Sequence, residues 1–167
     1  AESELKAAAK EKRKPKETRV PLHIRGLRGH ARDKGYPIEI NVAEEHFASQ
    51  TTKMVMAQLL SHASLQPPNG KTVLAAAVAG NQHDIGLQAV ADFFEMAGWR
   101  TIVLGADVPI GSLVQAVECL EVDLVALSAS LSTQLETVRE TIQAVKTGAR
   151  GDAVKILVGG HALADPG

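Results

Sequence analysis

Four short apolar runs alternating with three helical patterns predict an α/β domain on a doubly wound parallel sheet. Three observations carry this. The runs at 72–79, 100–104, 123–128 and 154–158 are near-continuously apolar rather than alternating, as expected of strands covered on both faces. The stretches between them repeat apolar residues at helical spacing, for example Leu135, Val138, Ile142 and Val145. The loops leaving the first, third and fourth runs are polar or glycine-rich, and ligands bind open α/β sheets at such strand ends.

In chain order, 2–14 is rich in helix formers but has only Leu5 as a large apolar residue, and Pro15 ends it. Residues 16–35 are basic and broken by Pro21, Gly26, Gly29 and Gly35; Leu22, Ile24 and Leu27 could anchor a short helix or turn. Asn41 with Glu44 is a candidate cap for an amphipathic helix to about Ala63, carrying Val42, Phe47, Met54, Val55, Leu59 and Leu60. Gln66 to Gly70 reads as a linker. After it come strand 72–79, helix 85–97, strand 100–104, a helix opened by Pro109 and running to about Leu120, strand 123–128, helix 132–147 and strand 154–158. A fourth strand without a following helix leaves the sheet short, so a last strand and helix are expected in a complete domain. The domain reading is a basic extension at 1–35, a partial helical cap and linker at 36–68, and the α/β domain at 69–167.

Composition narrows the classes. Aromatics are 3% of the 167 residues, so Val, Leu, Ile and Ala must build the core. The lone Cys119 excludes an intramolecular disulfide and a Cys-rich zinc site, and is expected to pack within a helix. With no leader-like or membrane-spanning run, a cytoplasmic setting is expected, with no membrane partner. Residues 1–35 hold eleven Lys/Arg against five Asp/Glu, and residues 36–167 seven against fourteen. The basic head leaves nucleic-acid binding open, but no helix-turn-helix or zinc-finger pattern accompanies it.

The most informative stretch is Gly80-Asn81-Gln82-His83-Asp84-Ile85-Gly86, which puts a histidine in the turn from a strand into a helix. The third strand ends in Ser128-Ala129-Ser130-Leu131-Ser132-Thr133 and the fourth in Gly159-Gly160-His161. A parallel sheet brings these loops to one edge. A neutral imidazole is a common metal ligand whose other nitrogen needs a partner, and Asn81 and Ser128 are the candidates. One good histidine does not make a protein-only zinc site, which takes about four ligands. A tetrapyrrole-type cofactor needing a single axial histidine fits better. Ser128 or Ser130 with His83 could suggest a hydrolase, but the sharp Gly-x-Ser-x-Gly turn is absent.

The order His-x-x-Gly, a serine-rich third strand end, then Gly-Gly resembles the cobalamin-binding domain of corrinoid proteins, which reads Asp-x-His-x-x-Gly, Ser-x-Leu and Gly-Gly. The resemblance covers residues 70–163, and 104–109 is similar to that family's second strand and turn. It implies a flavodoxin-like (Rossmann-like) sheet holding cobalamin in its adenosyl, methyl or hydroxo form, with heme as a secondary candidate. His83 matches the lower axial cobalt ligand. Gly86 matches the glycine that admits the dimethylbenzimidazole tail, and Ser128, Gly159 and Gly160 flank that tail. Asp84, Ile85, Ser130, Leu131 and Thr133 complete the expected cofactor contacts. Asn81 stands where the family has an acid, so it can orient the ring but should tune cobalt less strongly. Ser130 stands at the leucine of Ser-x-Leu unless Leu131 takes that packing place.

Upstream, Glu45-His46 looks like the Glu-His helix of cobalamin-dependent photoreceptors and related light-response regulators, whose histidine can bind the upper face of cobalt. The tryptophan found upstream in that family is missing; only Tyr36 is aromatic between 26 and 37. This resemblance, with Asn81 for the acid, leads to the expectation of a non-enzymatic sensory module. Such a module would signal, with or without light, to a protein partner such as a transcription factor, as an anti-repressor does. A corrinoid carrier of a methyltransferase is the alternative, and a heme-binding variant another. A receiver-like module is disfavoured because Gly80 and Asn81 stand where a receiver clusters its acids.

Overall fold

The computed structural model describes residues 42–164. Helix α1 covers Val42–Ser61. Strands β1 (Thr72–Val78), β2 (Arg100–Val108), β3 (Leu124–Ser128) and β4 (Lys155–Gly159) then alternate with helices α2 (Ile85–Met96), α3 (Ile110–Cys119) and α4 (Leu135–Thr147). Short 3-10 turns occupy Ser132–Gln134 and His161–Leu163. All strand pairs are parallel, in the order β2-β1-β3-β4. This is the flavodoxin-like, doubly wound arrangement, with its switch point between β1 and β3.

β1 is buried along its whole length, which is why its sequence is apolar throughout after Thr72. Its side chains alternate between two cores. Val73, Ala75 and Ala77 pack with Leu87 and Ala91 of α2. Leu74, Ala76 and Val78 pack with Leu113 and Val117 of α3 and Val138 and Val145 of α4. Strands β1, β3 and β4 end level: Ala77 lies opposite Ser128, and Ser128 opposite Gly159. That register sets the polar loops side by side.

Several boundaries differ from expectation. β2 runs on to Val108 instead of stopping near Leu104. Gly105 and Asp107 adopt positive φ, and the β1–β2 register shifts twice nearby, so an irregular edge continues past the apolar run. Pro109 caps α3 from outside, and 132–134 forms a 3-10 turn before α4. Cys119, expected to pack, is exposed. In α1, Val42, Phe47, Met54, Val55 and Leu59 are exposed. At about 3.6 residues per turn they are scattered around the helix and do not make one face. The chain divides into two units between Thr51 and Thr52, inside this helix. The expected helix at 2–14, the basic stretch 16–35 and the Asn41 cap lie outside the described residues. Among the described residues no helix is long and apolar enough to cross a membrane.

Candidate functional site

The loops after β1 and β3 leave toward opposite faces of the sheet, because α2 and α4 pack on different cores. In open α/β sheets ligands bind at such a switch point. The β1 loop is fixed there by three side chains. Asn81 is fully buried; its Oδ1 accepts a bond from the His83 amide at 3.1 Å, and its Nδ2 donates to the Ser128 carbonyl at 2.9 Å. Both side-chain polar atoms therefore serve the backbone rather than the imidazole. Asp107, from the end of β2, accepts the Gly80 amide at 2.7 Å and the Gln82 Nε2 at 3.2 Å. Its own amide donates to the Asn81 carbonyl at 2.9 Å. Gln134 approaches from the other side: its Nε2 donates to the Gly80 carbonyl at 2.9 Å. Its Oε1 accepts the amides of Ser130 and Leu131 at 2.9 and 3.1 Å. One buried glutamine thus joins the first and third strand-end loops.

On this frame His83 is exposed, and its side chain makes no hydrogen bond among the described residues. Asp84 follows it and pairs with Lys53 at 2.7 Å. Ile85 opens α2, and a Cβ added at Gly86 would meet nothing within 4 Å. Ser128 and Ser130 are half-buried, Leu131 and Thr133 exposed. The hydroxyls of Ser128, Ser130 and Thr133 have no partner among the described residues. Gly159 also faces open space. Gly160 does not: its φ is +108°, and a Cβ there would overlap the Ala129 carbonyl. Its backbone close approach is a requirement of the fold.

Among the described residues no group of three or more His, Cys, Asp or Glu could hold a metal ion. A group that brings its own ligands and takes one from the protein does fit. The histidine is accessible on a fixed loop, two glycines leave room for a bulky neighbour, and hydroxyls stand ready to bond a polar tail. Glu45 and His46 lie in the first half of α1. Their side chains are 3.5 Å apart, and Ser49 donates to Glu45 at 3.1 Å. Glu44 and Glu45, the acids of the first turn, suit the helix dipole.

Asp107, Gln134 and Lys53 were not singled out from sequence. Asp107 lay in a stretch already noted, 104–109. Gln134 and Lys53 gave no signal, since one lies in a polar turn and the other on an ordinary helix.

The B12 binding domain family matches residues 71–166. The dimethylamine corrinoid protein 3 of Methanosarcina mazei is 32% identical over 88 residues, covering 53% of this chain and 53% of that protein. The trimethylamine corrinoid protein of Methanosarcina barkeri is 35% identical over 89 residues, covering 53% of this chain and 41% of that protein. The chain thus spans about half the length, or less, of these curated relatives. A cobalamin-binding protein from Desulfitobacterium hafniense superposes with a TM-score of 0.52 at 28% identity, covering 79% of this chain and 60% of that one. The monomethylamine corrinoid protein of Methanosarcina barkeri reaches 0.65 at 20% identity, covering 84% and 66%, and shows the shared fold.

These relatives correct the expected output. They are corrinoid proteins and not light-response regulators, which overturns the expectation of a transcription-factor or signalling partner. The photoreceptor and anti-repressor readings rested on Glu45-His46, with Asn81 in place of the acid, and these relatives give them no support. The corrinoid expectation stands, and the heme alternative gains nothing from these relatives.

Proposed function

Because the chain belongs to the B12-binding domain family, we propose that it is a corrinoid carrier serving methyl transfer, not itself catalytic, and worked on by separate methyltransferase partners. When bound, the corrinoid supplies a cobalt that carries a methyl group from a donor to an acceptor. The names of the matched relatives support a methylated amine as the donor class. The single observation that carries the reading is His83. It is an exposed imidazole at the switch point, on a loop that Asn81, Asp107 and Gln134 hold in place.

In this reading His83 would hold the cobalt through its imidazole. Gly86 and Gly159 leave the tail room to enter between the strand ends. The hydroxyls of Ser128, Ser130 and Thr133 would bond the tail, and Leu131 would pack beside it. Asn81 contributes indirectly, by fixing the backbone on which the imidazole stands. Preorganisation of this kind lowers the cost of binding, since the loop need not be ordered by the ligand.

The test mixes the chain with hydroxocobalamin and follows the absorption spectrum after unbound corrinoid is removed. A retained species is expected, with a spectrum that changes in His83→Ala and affinity lower by about a hundredfold. No retained corrinoid in the wild-type protein sinks the proposal. Methyl transfer from a methylated amine, with an added amine methyltransferase, then distinguishes a carrier from a protein that only stores the cofactor.

A further inference from the structure

Lys53 lies outside the family-matched residues 71–166, yet its Nζ donates to the Asp84 carboxylate at 2.7 Å. Asp84 follows His83 and occupies the N-cap position of α2. A carboxylate there ordinarily accepts bonds from the first amides of its own helix. The Asp84 side chain makes no such bond. It turns to α1 instead, and its Oδ2 also lies 3.6 Å from where a Cβ at Gly105 would stand, against the end of β2. The side chains of Lys53 and Asp84 are only 31% and 16% exposed, so water screens the pair less than a surface pair.

We infer that Lys53 is a positioning residue for the corrinoid site, strapping the second half of α1 to the histidine loop. The inference rests on His83 as the ligand-bearing residue. Asn81, Asp107 and Gln134 act on residues 80–83. Lys53 acts on the other side of the histidine. His83 is therefore bracketed, its amide held by Asn81 and its next residue held by Lys53. Releasing the strap lets the start of α2 move and widens the range of positions open to the imidazole. A ligand retained through that imidazole then leaves sooner.

Lys53→Met keeps the length and helix preference of the side chain and removes the charge; Lys53→Arg keeps the charge. Hydrogen exchange of the full chain without corrinoid reads the strap directly. In Lys53→Met, exchange across 83–87 is expected to speed by about tenfold while β1 and β3 stay unchanged, because losing a partner leaves a shielded carboxylate unpaired. Lys53→Arg restores the wild-type rate. With hydroxocobalamin loaded, Lys53→Met is expected to release it about tenfold faster on dilution into excess competitor, with a smaller His83-dependent spectral change. Equal exchange across 83–87 in Lys53→Met and wild type overturns the strap, and so does equal release with an unchanged spectrum. If the wild-type chain retains no corrinoid, the carrier reading fails, and exchange alone decides the strap.

Discussion

Gly159 and Gly160 are neighbours at one strand end, yet a Cβ meets nothing at the first and overlaps the Ala129 carbonyl at the second. The same division runs along the whole edge. An inner layer of Asn81, Asp107, Gln134 and Gly160 is committed to the protein's own loops, chiefly their backbone. An outer layer of His83, Gly86, Ser128, Ser130 and Gly159 has open space beside it or polar atoms without partners among the described residues. The inner layer shapes the edge, although Asp107 and Gly160 within it are exposed, and the outer layer adds the groups left free to meet a ligand. Residue type does not separate the two, since both contain a glycine and polar side chains.

The sharpest way to break this division is Gly160→Ala. The added Cβ must displace the Ala129 carbonyl from a backbone with φ of +108°, which also disfavours any L side chain. A loss of at least about 3 kcal/mol is expected in denaturant unfolding. A stable variant would move Gly160 to the outer layer.

Asn81→Ala comes next. It strips partners from the His83 amide and the Ser128 carbonyl at a site with no solvent access. The expected cost is about 2–3 kcal/mol. Gln134→Ala should follow closely, because three backbone groups lose their partner. His83→Ala, by contrast, should leave the unfolding midpoint of the ligand-free protein unchanged. Equal destabilisation by His83→Ala and Asn81→Ala would erase the distinction between the layers.

The outer layer was far more legible in the sequence than the inner one. His83 stood out because it sits in a polar strand-end loop, flanked by Gly80 and Gly86 and opposite a Ser/Thr run. The strands were legible because burial on both faces leaves no polar residue in 73–78, and α2 and α4 because they cover one face each. Gln134 was hidden because its partners are backbone atoms, one of them on Gly80, 54 residues away. Any residue type can supply a carbonyl or an amide, so such a bond leaves no mark at the partner position. Asn81 was noticed for the wrong partner: a side chain two residues from the histidine suggested the imidazole, whereas the tight turn brings the His83 amide to it first. The end of β2 was missed because Gly105 and Asp107 continue the strand through positive φ, where a run of apolar residues is no guide.

Gly159→Ala sharpens the division with a smaller effect. With nothing within 4 Å of the new methyl, the ligand-free protein should change by no more than about 0.5–1 kcal/mol, toward greater stability. If the corrinoid tail enters beside Gly159 as proposed, the same methyl would occupy its space, and hydroxocobalamin retention should fall while the fold stays intact. Stability and binding would then move in opposite directions at Gly159 and together at Gly160. Two variants at adjacent positions, read by one unfolding curve and one absorption titration, therefore locate the boundary between the layers to a single peptide bond.

The smallest expected effect lies just past Gln134, in the first turn of α4. There the Arg139 Nε donates to the Glu136 carboxylate at 3.1 Å, and this bond holds the carboxyl below its usual range. Because the folded-state value is lowered, the contribution is present above the unfolded carboxylate value of about 4.3 and is lost as pH falls through the folded one. Both side chains are exposed, so water and salt screen the pair and the contribution is slight. Glu136→Gln should lower the melting temperature marginally at about pH 7, with the two curves converging at about pH 3. A loss at neutral pH as large as that of Gln134→Ala would mean that the inner layer extends into α4. A marginal one places its limit between Gln134, which turns inward to three backbone groups, and Glu136, which faces water two residues later.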